Sequence, residues 1–449
     1  MSPIRLRLSP IAVATRALCI TALLTPAAAF AQSSTPGDTA AAVRELRQRL
    51  DVLEAQLAAE KAARATPPPP PVAAAAPKGN EIKLGETKVT WGGYVKADAI
   101  YSSFSEGEVA QSTARDFYLP NGTPVSNGSG KRRDFTDFHA KESRLFVKSE
   151  TMLDGHKLGT HIEFDFIVNQ STTANEIVTN AYTPGFRRAF ITYDNLLVGQ
   201  EWTTFLNLGS LPETLDFVAF PSEGSVFVRQ AQARYTLGNF QFAVENPETS
   251  VLPGGGGAVA GAGDAVLPDF IARYNLKLGA AELSLSGLVR QLKVENTAVG
   301  TTAAVDDKTT GGGVSLAGKW VFGTDDLKFQ ITTGEGIGRY MALGTSADAV
   351  LSAGELDAIG VTGGYLAYKH AWTPQWRSTL TASALAIDND TARTGTGLTK
   401  KVQSASINLL YSPVTKLTFG AEYRHAEREL ENGQDGDLDR LQFSAKYSF

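Results

Sequence analysis

Cysteine is almost missing from this chain: Cys19 is the only one in 449 residues. It lies in a stretch that reads as a targeting segment. Arg5, Arg7 and Arg16 precede the apolar run from Ala17 to Leu24, and Ala29-Phe30-Ala31 gives a small-x-small cleavage site before Gln32, the pattern of a secretory signal peptide. Without residues 1–31 no thiol is left, which excludes disulfides, thiolate metal sites and cysteine nucleophiles. An excess of positive charge is also lacking. The formal net charge is −5 and becomes more negative once the three signal arginines are gone, so nucleic acid is not an expected partner. Histidine is scarce, with His139, His156, His161, His370 and His425 in no metal-ligand or triad spacing, and no GxSxG occurs. An enzyme, a metal site and a cofactor are therefore not expected. Long apolar runs are missing as well: no stretch of 18 apolar residues follows Ala31, which leaves no transmembrane helix.

A closed β-barrel is the other structure that satisfies its backbone in lipid, and its alternating strands leave mean hydropathy unremarkable. The expected organisation is a signal peptide (1–31), a periplasmic coiled-coil segment (32–66), a Pro/Ala-rich linker (67–86) and a transmembrane barrel (87–449). In the second segment Val43, Leu46, Leu50, Leu53 and Leu57 alternate spacings of three and four, an a/d seam of about three heptads. So short a seam is marginal alone and oligomerises only if a larger body holds the copies together. Pro67 to Pro71 and Pro77 form a stiff spacer.

From Thr87 onward, sixteen alternating stretches can be counted, near 87–104, 137–151, 155–168, 185–193, 195–202, 226–237, 239–245, 268–278, 280–295, 309–322, 325–334, 361–372, 376–389, 400–412, 416–429 and 439–449. Tight turns such as Leu153-Asp154-Gly155, Asp194-Asn195, Gly238-Asn239 and Gly279-Ala280 alternate with long connections such as 105–136, 246–267 and 335–360. That asymmetry belongs to outer-membrane barrels, whereas a soluble sandwich gives no reason for it. The last strand places Leu441, Phe443, Ala445, Tyr447 and the terminal Phe449 on one face, like the signal read by the outer-membrane assembly machinery. The expected fold is an all-β, 16-stranded antiparallel barrel in the outer membrane of a Gram-negative bacterium. Trp91, Tyr101, Trp202, Trp320, Trp372, Trp376 and Tyr447 lie near strand ends, where aromatic girdles meet lipid headgroups.

One stretch breaks the rhythm. Thr203 to Ser225 is too long for a turn and too apolar for a solvated loop, holding Phe205, Leu206, Leu208, Leu211, Leu215, Phe217, Val218 and Phe220 beside only Glu213, Asp216 and Glu223. It must pack against something while keeping its acids accessible. A loop folded into the barrel and narrowing a pore meets both demands.

Strand parity assigns the water-facing side chains. It puts Lys96, Arg144, Lys148, Arg188, Arg234, Arg273, Arg290, Arg377 and Arg424 in the lumen, with Lys277, Lys319 and Lys328. The lumen acids by the same rule are Asp98, Glu142, Glu163, Asp165, Glu282 and Glu422. A basic wall facing the acids of the inner loop would draw in and orient anionic solutes. Arginine grips a carboxylate with two hydrogen bonds, so several around one opening favour solutes with two carboxylates. An unselective diffusion pore is the close alternative, and a barrel acting as an envelope tether through its coiled coil a further one.

GYVKADAIY at Gly93 to Tyr101, FRRAFITYDNLLVGQEWTTF at Phe186 to Phe205, LPETLDF at Leu211 to Phe217, VRQAQARYT at Val228 to Thr236 and ENPET at Glu245 to Thr249 resemble the DcaP-like porin family. RLFVKSET at Arg144 to Thr151 is similar to the second strand of general trimeric porins. The resemblance implies a sixteen-stranded homotrimer with a constricting third loop that takes up small anions, dicarboxylates among them.

Overall fold

The computed structural model describes residues 80–449 except 108, 110–112, 127, 129, 168–179, 217–221 and 297–303, together with residues 47, 48, 51 and 54, which are helical. The signal peptide, the heptad leucines and the proline spacer lie outside the described residues.

Sixteen long antiparallel strands close into a barrel. They are β1 (Thr87–Phe104), β2 (Arg144–Leu153), β3 (His156–Asp165), β4 (Gly185–Tyr193), β5 (Leu196–Trp202), β6 (Arg229–Leu237), β7 (Phe240–Glu245), β8 (Asp269–Leu278), β9 (Ala281–Asn296), β10 (Val305–Phe322), β11 (Asp325–Glu335), β12 (Gly360–Ala371), β13 (Trp376–Asp388), β14 (Thr399–Val414), β15 (Leu417–Leu430) and β16 (Asp435–Ser448). Each pairs with its neighbour in sequence, and β16 pairs with β1 from Tyr94↔Ser448 to Phe104↔Leu438, which removes the free edges. The terminal Phe449 seals the seam with its N–H on the Gly93 carbonyl, 3.1 Å away.

Alternation explains the wall. On β16, Leu441, Phe443 and Tyr447 are exposed while the neighbouring Arg440 and Gln442 are buried. Val95, Phe186, Ile191, Leu285, Ile331, Leu380 and Ile407 continue the same outward apolar surface around the barrel. An apolar belt of this extent is unfavourable in water and favourable in lipid.

The sequence reading treats 137–151 as one strand; the structure divides it. Arg133–His139 pairs with the upper half of β1 and β2 with its lower half, separated by a turn in which the Ser143 N–H bonds the Ala140 carbonyl. Gly93 makes the break possible: its φ is +156° and a Cβ there would stand 2.0 Å from the Arg144 carbonyl oxygen. The turn swings Lys141 and Glu142 inward, onto Asp116 and Lys96.

Short turns and long connections alternate as expected until the last long-side connection, 431–434, which is short. At that end, described residues of the connections 105–132, 246–268 and 336–359 fold inward. Ser250–Pro253, Ala260–Gly261, Ala349–Ser352 and Glu355–Ala358 form a separate four-stranded sheet there. The main apolar cluster unites Phe205, Leu206 and Val226 with Ile337, Tyr340, Met341 and Ala342. Phe205 and Leu206 of the inner loop thus have a partner that the sequence does not announce, the connection 336–359. The two loops are also stitched by backbone bonds, Phe227 N–H to the Tyr340 carbonyl and Ala342 N–H to the Ser225 carbonyl.

Candidate functional site

The described residues 203–216 of the inner loop leave β5 and run along the inside of the wall, held at almost every strand they pass. Its Thr204 N–H donates to Glu245 on β7 at 2.7 Å, and Arg273 on β8 donates to the Thr204 and Leu206 carbonyls. Asn207 donates to Ser284 on β9, Lys328 on β11 to the Leu211 carbonyl at 2.8 Å, and Tyr365 on β12 to the Ser210 carbonyl at 3.0 Å. Near its tip, Arg377 on β13 grips Glu213 with two bonds of 2.8 and 2.6 Å. Asn408 on β14 donates to the Glu213 carbonyl, Glu422 on β15 accepts the Leu215 N–H, and Lys96 on β1 donates to the Leu215 carbonyl. The loop therefore lies inside the barrel, with wall cations saturating carbonyls that a helix or sheet would otherwise satisfy. A cavity of ≈ 210 Å³ remains beneath its tip, lined by Tyr94, Lys96, Glu142, Glu213, Leu215 and Lys446 among others.

The expectation that the three loop acids stay accessible is corrected. Asp216 is buried, accepts the Tyr118 N–H at 2.8 Å and sits 3.9 Å from Arg440. Glu223 is fully buried and accepts from the Tyr118 hydroxyl at 3.3 Å. Burial pushes its carboxyl above the usual range, with Arg424 only partly opposing that. Both are covered by Tyr118, carried by the connection 105–132, which strand parity gives no reason to place in the lumen. Glu213 alone keeps access to solvent. Burial disfavours its charge, yet the Arg377 fork outweighs that and holds the carboxyl below its ordinary range.

A pH effect follows from that direction. A carboxylate with a lowered folded-state pKa contributes above its unfolded value and loses the contribution as pH falls through the folded value. The Arg377–Glu213 anchor should hold through neutral and mildly acid solution and release only below the ordinary glutamate range. Acid is expected to make the native channel flicker, and Arg377→Ala should flicker in the same way already at neutral pH. Single-channel recordings at several pH values check this, and equal noise in both proteins would remove Glu213 from the path.

Lys96, Arg290, Arg377 and Arg424, four of the twelve basic residues that parity puts in the lumen, are committed to buried ion pairs or to an acid of the inner loop. Arg290 has a side chain with no exposure, 2.9 Å from Asp348 and 3.3 Å from Asp269, and it donates to the Gly336 and Glu248 carbonyls. Arg424 is buried against Ser404, Glu422 and the Tyr118 ring. Neither can meet a solute; the correction arises because inward loops cover these wall positions. Lys96 is buried between Glu142 at 2.7 Å and Asp98 at 3.1 Å, and Arg377 is spent on Glu213.

Arg144, Lys148, Arg188, Arg234 and Arg273 share one wall; Arg144 and Arg188 are paired with its acids, and Arg273 donates to carbonyls of the inner loop. Arg144 lies 3.7 Å from Glu163 and 3.8 Å from Asp165. Arg188 forks onto Glu201 at 2.7 and 2.5 Å. Arg234 is within electrostatic reach of Arg188 and Arg273, which makes a row of three guanidiniums across β4, β6 and β8. Lys148 and Arg234 are half-buried and form no ion pair among the described residues.

Two inward arginines escape the parity rule. In FRRAFITY, parity allows one inward arginine, but the β3–β4 register slips between Glu163↔Arg188 and Phe164↔Phe186. Arg187 is the extra residue of this bulge, so both arginines turn to the lumen carboxylates. Arg187 bonds Glu163 at 2.9 Å and also Asp165. Arg229, at the start of β6, lies over the Trp202 ring, 5.0 Å from its centre. The doubled arginine itself is the legible hint of a bulge, since an outward arginine in the lipid belt is costly.

A barrel of sixteen strands, an outward apolar belt and a loop pinned inside the lumen is the architecture of a porin-like outer-membrane protein. The profile of the DcaP outer membrane protein family matches residues 74–449. The chain belongs to that family. Among solved structures, this DcaP-family chain is similar to the outer membrane channel DcaP of Acinetobacter baumannii, at 24% identity and a TM-score of 0.66, over 82% of this chain and 99% of that one. It is also similar to the outer-membrane expressed OmpT of Vibrio cholerae, at 11% identity and a TM-score of 0.49 over 82% and 100%. The anion-selective porin from Comamonas acidovorans stands at 13% and 0.49 over 81% and 100%. At such identities the likeness is one of fold. No curated protein matches the chain. The family is one of outer membrane proteins, not of enzymes.

Proposed function

We propose that this DcaP-family protein is a channel for passive diffusion of small hydrophilic anions, dicarboxylates among them. The observation that carries the reading is the wall of Arg144, Lys148, Arg187, Arg188, Arg234 and Arg273, where cations outnumber Glu163, Asp165, Glu201 and Glu245. The inner loop is drawn mainly onto the remaining strands. Cations facing a narrow, low-dielectric passage raise the local anion concentration, and the spaced forks let a dicarboxylate hand over from one arginine to the next. Partial pairing with the wall acids keeps each hold weak, which passage requires.

The reading extends to a homotrimer with a periplasmic N-terminal segment, which three equal conductance steps would support. An unselective diffusion pore is the alternative. Lys148→Glu combined with Arg234→Glu separates the two, because neither residue closes an ion pair among the described residues and the barrel should remain folded. In a salt gradient the reversal potential should shift towards cations, and block by succinate should weaken by about tenfold, near 1.4 kcal/mol. An unchanged reversal potential would return the protein to the unselective class.

A further inference from the structure

The outward belt is interrupted by a trough of ≈ 850 Å³ on the lipid-facing side of β6 to β11. Its floor is the cross-strand pair Ala272↔Gly287. Phe242 flanks it through the pair with Ala272, Val314 through the pair with Gly287, and Phe270↔Val289 forms the next row towards the extracellular end. These large side chains are about half exposed, each on the outer surface. Gly287 lies between the outward Leu285 and Val289, and a Cβ added there would meet nothing within 4 Å. The depression is thus real open space in the belt rather than a packing requirement of the wall.

We propose that this trough holds an acyl chain of an outer-membrane lipid. Its floor and sides are hydrocarbon and aromatic surface apart from the hydroxyl-bearing Thr333 and Tyr235, and it is continuous with the belt that meets lipid. A void left there would forfeit dispersion contacts on every side, whereas a hydrocarbon chain restores them at no polar cost. The residues farther along the same face set its depth in the membrane. Beyond Val289, β9 presents Gln291, Lys293 and Glu295, opposite Thr310, Lys308 and Asp306 of β10. The apolar trough therefore ends at a polar level on the side of the long connections, which places the bound chain in the outer leaflet.

The trough can be filled without strain. Gly287→Leu projects into open space, and Ala272→Leu enlarges an exposed side chain beside it. Both proteins and the native one would be extracted from outer membranes in mild detergent and weighed intact by native mass spectrometry. The native protein should retain a lipid adduct that Gly287→Leu lowers about tenfold, with assembly and conductance unchanged. Ala272→Leu should do the same and stands in if the first variant folds poorly. Equal adducts in native protein and variants, or none in the native protein, would overturn the proposal. Loss of the oligomer in both variants would overturn it too, by showing the trough to be a contact between copies.

Discussion

Arg290→Ala is expected to be the most destabilising single substitution in the barrel. Its side chain has no exposure and joins three parts of the fold: Asp269 at the start of β8, Asp348 in the connection 336–359, and the carbonyls of Gly336 and Glu248. Asp348 also accepts the Arg339 and Ser250 N–H groups, both at 2.9 Å, and Asp269 accepts the Tyr340 hydroxyl at 2.7 Å. Removing the guanidinium leaves two buried carboxylates facing each other across the loop base. Breaking a buried pair in this way costs about 3–5 kcal/mol, mostly the penalty of the charge left behind. The temperature at which the folded, fast-migrating form converts on denaturing gels should fall clearly. Adding Asp348→Asn to Arg290→Ala should recover part of the loss, because the two sites share one interaction. A conversion temperature equal to the native one would mean that Arg290 is a spectator.

Excising residues 207–216 is expected to raise single-channel conductance several-fold while the barrel persists. The wall closes through the β1–β16 pairing and needs no contact with the loop. The loop does need the wall: Lys328, Tyr365, Arg377, Asn408, Glu422 and Lys96 all spend hydrogen bonds on it. Once the segment is gone these side chains face water in a hydrated lumen, where unpaired polar groups are tolerated. Conductance should rise and solute block should fade, since the field across the passage weakens as the opening widens. Unchanged conductance in a folded variant would place the solute path elsewhere.

The selectivity variants test the wall and the excision tests the loop, so their failures are distinguishable. A loop variant that conducts more yet keeps its anion preference would assign selectivity to the row Arg188, Arg234 and Arg273. A loss of preference on excision alone would assign it to the electrostatic pairing across the gap.

Much of the fold is legible because the signals are local. Period-two alternation marks a strand with one face in lipid and the other in water, and Leu441, Phe443 and Tyr447 obey it as plainly in the structure as in the sequence. Turn residues such as Asp154 and Asp194, both in the left-handed region, cut the chain at the short side of the barrel. The inner loop announces itself by holding apolar residues where a solvated connection could not. Parity alone places Arg144, Lys148, Arg188, Arg234 and Arg273 on the inner face.

What the sequence could not determine depends on partners far along the chain. Glu213 and Arg377 are 164 residues apart, and Asp216 and Tyr118 are 98 apart. Parity tells which face a side chain takes and nothing about what then covers it, so Arg290 and Arg424 look accessible and are sealed by inward loops. It also fails by one residue at a bulge, which is how Arg187 escapes it. The alternation of the strands, their count and their inward faces are properties of each strand in lipid and are readable from the chain itself. Which inward charges remain free to meet a solute is decided only by closure of the barrel, because closure brings the loops onto some wall cations and leaves others bare.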